Sequence, residues 1–213
     1  MILNIRTIPL LCLGPDVTQA ADTLPESPLV MFQNYLSNMR VYTTIGDIFR
    51  VNIGIHSYFF QFIARDLTGL GTDVIRVFRD KYGERDNPTI SDIITGDVDF
   101  YSHTFVSLGV KRGLWEKYGH DKRCGTMNIL FRCSLTSKSD KEGYFISTNW
   151  IVWKLNGELL YPGILPEEYY NSFDGTTFQP ERIVYRIEHG KYPYKYYPVY
   201  DMSEVQKMNK GPK

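Results

Sequence analysis

The first regular pattern of apolar and polar positions occupies residues 39–55, where the two kinds of residue alternate in two short runs. The alternating positions are Met39, Val41, Thr43 and Ile45 in the first run, and Phe49, Val51, Ile53 and Ile55 in the second. A period of two is typical of a β-strand with one buried face. Gly46-Asp47 lies between the runs, and a leading glycine favours a two-residue type II′ turn. The pattern therefore predicts an N-terminal β-hairpin.

Beyond this hairpin the spacing of apolar residues changes to that of a helix. They recur at Phe59, Phe60, Ile63, Leu67 and Leu70, and then at Val74, Val77, Phe78 and Tyr82. Intervals of three and four residues are typical of one helix face. Thr72-Asp73 suits a helix N-terminus and Gly83 suits a helix end. We therefore expect two helices, at about 57–70 and 73–82.

Strand-like segments dominate the rest of the chain. The candidate strands are 97–108, 126–136, 144–155, 182–188 and 192–199. Asn156-Gly157 follows the third of them and is a strong signal for a two-residue hairpin turn. The expected fold is α+β, a largely antiparallel sheet with the two helices inserted after the N-terminal hairpin.

The length of 213 residues fits a single domain with short flanking segments. Residues 14–28 carry three carboxylates and little apolar bulk, which is typical of a mobile leader. We expect a flexible leader at 1–30, one α+β domain at 31–200 and a flexible basic tail at 201–213.

Composition excludes some classes of function. The 24 basic residues balance 24 acidic ones, so the chain is not a purely electrostatic nucleic-acid binder. No stretch approaches the roughly 20 apolar residues of a membrane span. The cysteines at positions 12, 124 and 133 have no metal-site spacing and favour a reducing compartment, and we expect neither a metal nor a cofactor. Aromatic residues make up 15% of the chain, which favours strands and large contact surfaces.

Common catalytic motifs are missing from the sequence: it has no phosphate loop, dinucleotide glycine pattern, nucleophile elbow or two-histidine zinc motif. The best candidates for acid–base chemistry are Asp97, Asp99 and His103, which share one face if their segment is a strand. The alternative is the solvated face of an antiparallel sheet. We expect no catalytic residue here.

A cationic segment with interleaved aromatic residues spans 111–123. Five cations against two carboxylates leave it a local charge of +3, and Trp115 and Tyr118 lie among them. The cations are Lys111, Arg112, Lys117, Lys122 and Arg123. Such a surface suits an anionic lipid layer or a nucleoprotein. The alternative is an ordinary charged loop whose tryptophan anchors the core.

Two further segments suggest contact with other proteins. Tyr161, Pro162 and Leu165 form a Tyr-Pro-x-x-Leu string in a turn-rich loop, and this string resembles the short peptides that recruit the host budding machinery. Residues 192–200 alternate tyrosine with proline and lysine, which favours an edge strand or an extended arm. An exposed arm of this kind is typical of self-association.

In layout, the chain resembles the matrix proteins of rhabdovirus-type negative-strand RNA viruses. The leader at 14–28, the cationic segment at 111–123 and the string at 161–165 carry this resemblance. It lacks the lysine-rich N-terminus and the Pro-Pro-x-Tyr peptide of that family. The resemblance implies a non-enzymatic structural protein that associates with itself and bridges a nucleoprotein to an anionic membrane surface. Its expected location is then the inner membrane face and the virion, without a transmembrane segment.

Two other functions stay open. The chain could be a soluble β-rich module that binds a small apolar ligand or a protein partner, with the aromatic sheet face lining a cavity. It could also be an enzyme that uses Asp97, Asp99 and His103. No direct sequence-specific binding to nucleic acid is expected under any of these hypotheses.

Overall fold

The computed structural model describes residues 41–139 and 145–192, and these ranges contain ten strands, three α-helices and one 3-10 helix. The strands are β1 (Asp47–Ile53), β2 (His56–Arg65), β3 (Asp73–Gly83), β4 (Val98–Thr104), β5 (Glu116–His120), β6 (Leu130–Ser139), β7 (Phe145–Lys154), β8 (Leu159–Gly163), β9 (Phe173–Asp174) and β10 (Thr177–Phe178). The helices are α1 (Ile90–Thr95), α2 (Val106–Lys111), α3 (Pro180–His189) and the 3-10 helix Glu167–Tyr169. Strands dominate, so the predicted α+β class is confirmed. The leader at 1–30 and the tail at 201–213 lie outside the described residues.

The strands form two sheets. The six-stranded sheet has the order β10-β4-β3-β2-β1-β5, and the four-stranded sheet has the order β8-β7-β6-β9. All pairs are antiparallel except β4 with β10 and β6 with β9, so the prediction of a largely antiparallel arrangement is confirmed. β9 and β10 are only two residues apart in sequence, yet each joins a different sheet. We call residues 173–178 the strap, because this segment supplies the edge strand β9 to one sheet and the edge strand β10 to the other.

The two predicted helices at 57–70 and 73–82 are wrong, because these residues form β2 and β3 at the centre of the six-stranded sheet. Both faces of these strands are buried, so apolar side chains occupy consecutive positions from Phe59 to Ala64 apart from Gln61. A fully buried strand therefore loses the period of two, and its apolar residues match helical spacing by coincidence. The abundance of phenylalanine, valine and isoleucine favours strands and was the better signal.

The N-terminal hairpin lies one strand later in the chain than we predicted, since its two strands are β1 and β2. Residues 41–44 form no strand, and β1 begins at Asp47, where we expected a turn. β1 instead pairs with β2 through the turn at Gly54-Ile55. The second predicted run does form a strand, with Phe49, Val51 and Ile53 packed on one face.

The end of the domain also differs from its prediction. Residues 182–188 form most of α3 rather than a strand. Pro180 occupies the first turn, where its missing N–H costs nothing, and Gly190 ends the helix with a φ of 71°. By contrast, the hairpin predicted at Asn156-Gly157 is confirmed, since β7 and β8 pair across it. Its connection has four residues, 155–158, rather than the two that we expected, and Gly157 N donates to Lys154 O at 2.7 Å to close the turn. The last candidate strand, at 192–199, lies outside the described residues except for Tyr192.

The core is layered around the six-stranded sheet. One of its faces packs against α2 and α3, which contribute Val106 and Ile183 among others. Its other face packs against the four-stranded sheet at one end, where Ile63 and Val74 meet Phe131 and Trp153. Helix α1 covers the other end of this same face. None of the helices in the described ranges has the length and apolar character needed to cross a membrane.

Candidate functional site

Strand β8 forms an outer edge of the four-stranded sheet. It pairs with β7 on one side, and no strand within 41–139 or 145–192 pairs with its other side. The hairpin that carries β8 is held in place by Asn156, whose side chain accepts a hydrogen bond from Leu67 N at 2.7 Å and donates one to Arg65 O at 2.9 Å. An edge held in this way offers backbone donors and acceptors for another strand.

The side chains along this edge are unusually apolar for an exposed position. Leu160, Tyr161 and Ile164, which we call the β8 edge, are 45%, 64% and 45% exposed. They lie in a run of eight uncharged residues, 159–166, which Glu158 precedes and Glu167 follows. Native edge strands are usually protected by charges, and here the charges stand only at the two ends. Pro162 removes one N–H donor and so limits the length of strand that can pair.

The predicted recruiting string falls on this edge, but the structure divides its residues. Tyr161 is exposed, whereas Leu165 is only 4% exposed and packs with Trp150 and Val152. The expectation that Leu165 offers an anchor to a partner is therefore wrong. Tyr161 and Pro162 also belong to a strand rather than to a loop standing off the sheet. The exposed apolar residue that the motif overlooked is Ile164, and a recruiting role for Tyr161 stays a prediction.

Trp115 does not lie at a surface, so its predicted contact with membrane or nucleoprotein is wrong. The side chain is 3% exposed, and its indole N–H donates to Val106 O at 2.9 Å. Its ring meets that of Phe60 edge-on, with the centroids 5.0 Å apart. The alternative interpretation, a tryptophan that anchors the core, is what the structure shows.

Three of the five cations in the predicted patch form ion pairs inside the molecule. Their nitrogen–oxygen distances are all 2.8 Å: Arg112 with Glu181, Lys117 with Asp47, and Arg123 with Asp121. Lys111 and Lys122 have no ion pair with any described residue. The charge available to an external anion is therefore smaller than the sequence suggests.

The Lys117 pair is the most buried of the three. Asp47 is fully buried and also accepts hydrogen bonds from His120 at 2.9 Å and Thr44 N at 3.0 Å. Burial alone raises the pKa of Asp47, but the hydrogen bonds from Lys117 and His120 outweigh it and hold the pKa below its usual value. Lys117 therefore helps to fix β5 to β1, which is a structural role.

The three candidate catalytic residues are not brought together. Asp97 precedes β4, is exposed and lies 4.0 Å from Arg79. Asp99 is exposed, whereas His103 is fully buried. The expected shared face is interrupted, because Val77 pairs with Phe100 and Phe78 with Val98, which leaves Asp99 as the extra residue of a β-bulge. About 13 Å of strand separates Asp99 from His103.

His103 instead meets a carboxylate that the sequence pattern missed. Asp66 is fully buried and accepts hydrogen bonds from His103 Nε2 at 2.8 Å, Trp153 Nε1 at 2.7 Å and Gly69 N at 2.9 Å. Burial alone raises the pKa of Asp66, but these hydrogen bonds, with that from His103 first, hold the pKa well below its usual value. His103 Nδ1 has no hydrogen-bond partner among the residues that the structure describes. The cluster joins the two sheets, because Trp153 belongs to β7 and His103 to β4.

The remaining candidate groups add no reaction centre within the described ranges. Cys124 and Cys133 are free thiols, and burial raises the pKa of both. Those ranges hold no group of three His, Cys, Asp or Glu side chains that could bind a metal. Tyr192, the first residue of the predicted arm, is packed against Phe178 and bonded to Ser102 Oγ at 2.9 Å. The rest of that arm lies outside the described residues. No family model, no curated protein and no solved structure matches the chain.

Proposed function

We propose that this protein is a non-enzymatic assembly protein that associates with itself through the β8 edge. The observation that carries the proposal is an uncharged edge strand, one side of which has no partner among the described residues. Leu160 and Tyr161 are exposed on this strand and Ile164 is exposed directly after it. A second copy can pair with it antiparallel about a twofold axis, which joins two four-stranded sheets into one. The contact also covers Leu160, Tyr161 and Ile164, which supplies the apolar burial that drives association.

The test is the oligomeric state of the full chain, measured by sedimentation velocity from micromolar to submillimolar concentration. The wild-type protein is expected to shift from monomer to dimer as concentration rises. The double variant Leu160→Lys, Tyr161→Lys is expected to stay monomeric, because two ammonium groups would be buried without partners in the dimer. Both side chains point to solvent in the monomer, so the variant is expected to fold.

Ile55→Lys is the matched control, since Ile55 is 71% exposed at the turn between β1 and β2, away from the edge. It is expected to dimerise as the wild type does. A monomeric wild type throughout, or a Leu160→Lys, Tyr161→Lys variant that dimerises equally well, would falsify the proposal.

A second activity, contact with an anionic membrane or a nucleoprotein, is supported by one observation. Lys111 and Lys122 are cations without an ion pair among the described residues. A lysine near an anionic membrane surface contributes about 1 kcal/mol to binding, and this contribution falls with salt. We therefore place this contact at Lys111 and Lys122 rather than at Trp115 or the three paired cations.

Cosedimentation with vesicles of graded phosphatidylserine content tests this second activity. At low salt the wild type is expected to bind in proportion to phosphatidylserine. Lys111→Gln, Lys122→Gln is expected to weaken binding about thirtyfold, the equivalent of two such lysines. Arg112→Gln removes a paired cation and serves as the control, with an expected change below about threefold. Equal losses in the two variants, or no vesicle binding at all, would refute this assignment.

A further inference from the structure

A cleft of about 410 Å³ opens between the four-stranded sheet and the strap, and none of the described residues that line it belongs to the β8 edge. Its walls come from β6 and β7 on one side, and from the strap and the beginning of α3 on the other. Small-molecule sites in proteins have volumes of about 300–1,000 Å³, so the cleft lies at the lower end of that range.

Positive charge predominates around this cleft. Arg132 and Arg182 both line it, whereas Asp174 is the one carboxylate among the described residues of its lining. Arg132 is held in place, because its Nη1 donates to the carbonyl oxygens of Ser172, at 2.7 Å, and of Tyr169, at 3.1 Å. A guanidinium fixed by backbone carbonyls keeps its charge in the cleft wall with little freedom to move away.

The N-terminus of α3 adds to the positive potential. Gln179, the N-cap residue of this helix, lines the cleft together with Arg182 in the first turn. The N-terminal end of a helix carries about half a positive charge. Three independent sources of positive potential, Arg132, Arg182 and the helix end, therefore act on the same space.

The carboxylate of Asp174 opposes an anion only weakly. Burial raises its pKa, although a hydrogen bond with Thr176 and the charges of Arg132 and Arg186 act in the opposite direction. A carboxyl group with a raised pKa takes up a proton more readily when a second negative charge approaches. Asp174 therefore reduces, but does not cancel, the attraction of the cleft for anions.

The remaining walls are apolar or neutral. Trp150 and Phe178, 2% and 5% exposed, each present a small part of an aromatic ring, and Ser134 and Thr177 supply hydroxyl groups. Burial raises the pKa of the Cys133 thiol, so this group stays protonated and is a poor nucleophile. The lining thus suits binding rather than covalent chemistry.

We infer that this cleft binds a small organic anion, whose charged group lies by Arg182 and the start of α3 and whose apolar body lies against Phe178 and Trp150. Carboxylates and phosphate esters share the required chemistry. This inference goes beyond self-association, since it concerns a separate site and a different class of ligand.

The test is calorimetric titration of the full chain with benzoate, phenyl phosphate and the neutral analogue benzyl alcohol. At least one of the two anions is expected to bind about tenfold more tightly than benzyl alcohol, and the tighter one identifies the preferred charged group. Benzyl alcohol that binds as tightly as both anions would contradict the inference, and so would the absence of any binding at millimolar concentration.

Variants then locate the bound anion. Arg182→Gln is expected to weaken its affinity about tenfold, and Gln179→Glu, an exposed change that leaves folding intact, is expected to weaken it similarly. Asp174→Asn is expected to strengthen it. Arg85→Gln removes an exposed arginine in the loop between β3 and α1, which does not line the cleft, and is expected to change affinity less than about twofold. Anion binding that neither Arg182→Gln nor Gln179→Glu weakens would place the anion elsewhere and overturn the assignment.

Discussion

Replacing Asp66 by asparagine is expected to lower the free energy of unfolding by about 3–5 kcal/mol, because it removes a buried charge that organises three donors. The carboxylate accepts hydrogen bonds from His103, Trp153 and the backbone of Gly69. An amide oxygen cannot satisfy all three, and the amide N–H₂ brings new donors into a buried site. Urea unfolding at neutral pH, followed by tryptophan fluorescence, measures the loss.

The same carboxylate predicts a pH dependence. The pKa of Asp66 is lower in the folded than in the unfolded chain, so the folded structure stabilises the ionised carboxylate. The resulting stability is present above the unfolded pKa of about 3.9, and it is lost as the pH falls towards the lower pKa of the folded state. The wild type is therefore expected to lose more stability than Asp66→Asn between pH 5 and pH 3.

Asp99→Asn is the matched control, because Asp99 is an exposed aspartate on β4. Its effect on unfolding is expected to stay within about 0.5 kcal/mol. If Asp66→Asn and Asp99→Asn lower the free energy of unfolding equally, the buried carboxylate stabilises the fold no more than a surface one. Its role as a link between the two sheets would then be wrong.

Replacing Gly109 by alanine is expected to destabilise the protein by about 1–3 kcal/mol, which reverses the usual sign of this change in a helix. In an exposed helix interior, alanine is favoured over glycine by about 1 kcal/mol. Gly109 lies in α2, however, and its missing side chain makes room for the ring of Trp115, which a methyl group would overlap. The ring cannot swing away without breaking its hydrogen bond to Val106 O.

Urea unfolding again measures this effect, with Ser107→Ala in the same helix as the control. Ser107→Ala tests helix propensity alone and is expected to change stability by less than about 0.5 kcal/mol or to raise it slightly. A Gly109→Ala variant as stable as the wild type would show that the core around Trp115 repacks freely, against the close packing inferred here.

Local signals predicted those parts of the fold that local chemistry decides. The turn between β7 and β8 depends on local residues, because Asn156 takes a φ of 58° that few residues other than glycine tolerate. The prediction for the residues of β2 and β3 was wrong because their apolar pattern reflects burial on both faces of the sheet. This burial follows from their central position in the sheet. The helix signals of α3, Pro180 and Gly190, were present in the sequence, but we expected a strand at 182–188.

For the candidate sites, too, the sequence predicted features that depend on local residues and missed those that depend on distant ones. The exposure of Tyr161 was predicted from its turn-rich surroundings, whereas the burial of Leu165 and Trp115 depends on partners far away in the sequence. The cluster of Asp66, His103 and Trp153 joins residues 37 and 87 positions apart, and no spacing rule reveals such a contact. Ion pairs such as Lys117 with Asp47 likewise cancel charges that a count along the chain leaves free.

The strap has a consequence for the order in which the chain folds. Phe173 pairs with Phe131 and Thr177 with His103, so the strap docks only where two separately built sheets already stand side by side. Contacts over such long sequence separations carry a large loop-closure entropy and form late. Interactions absent from the folding transition state act mainly on the rate of unfolding. The strap therefore acts as a kinetic latch: its contacts govern how long the native state persists more than how quickly it is reached.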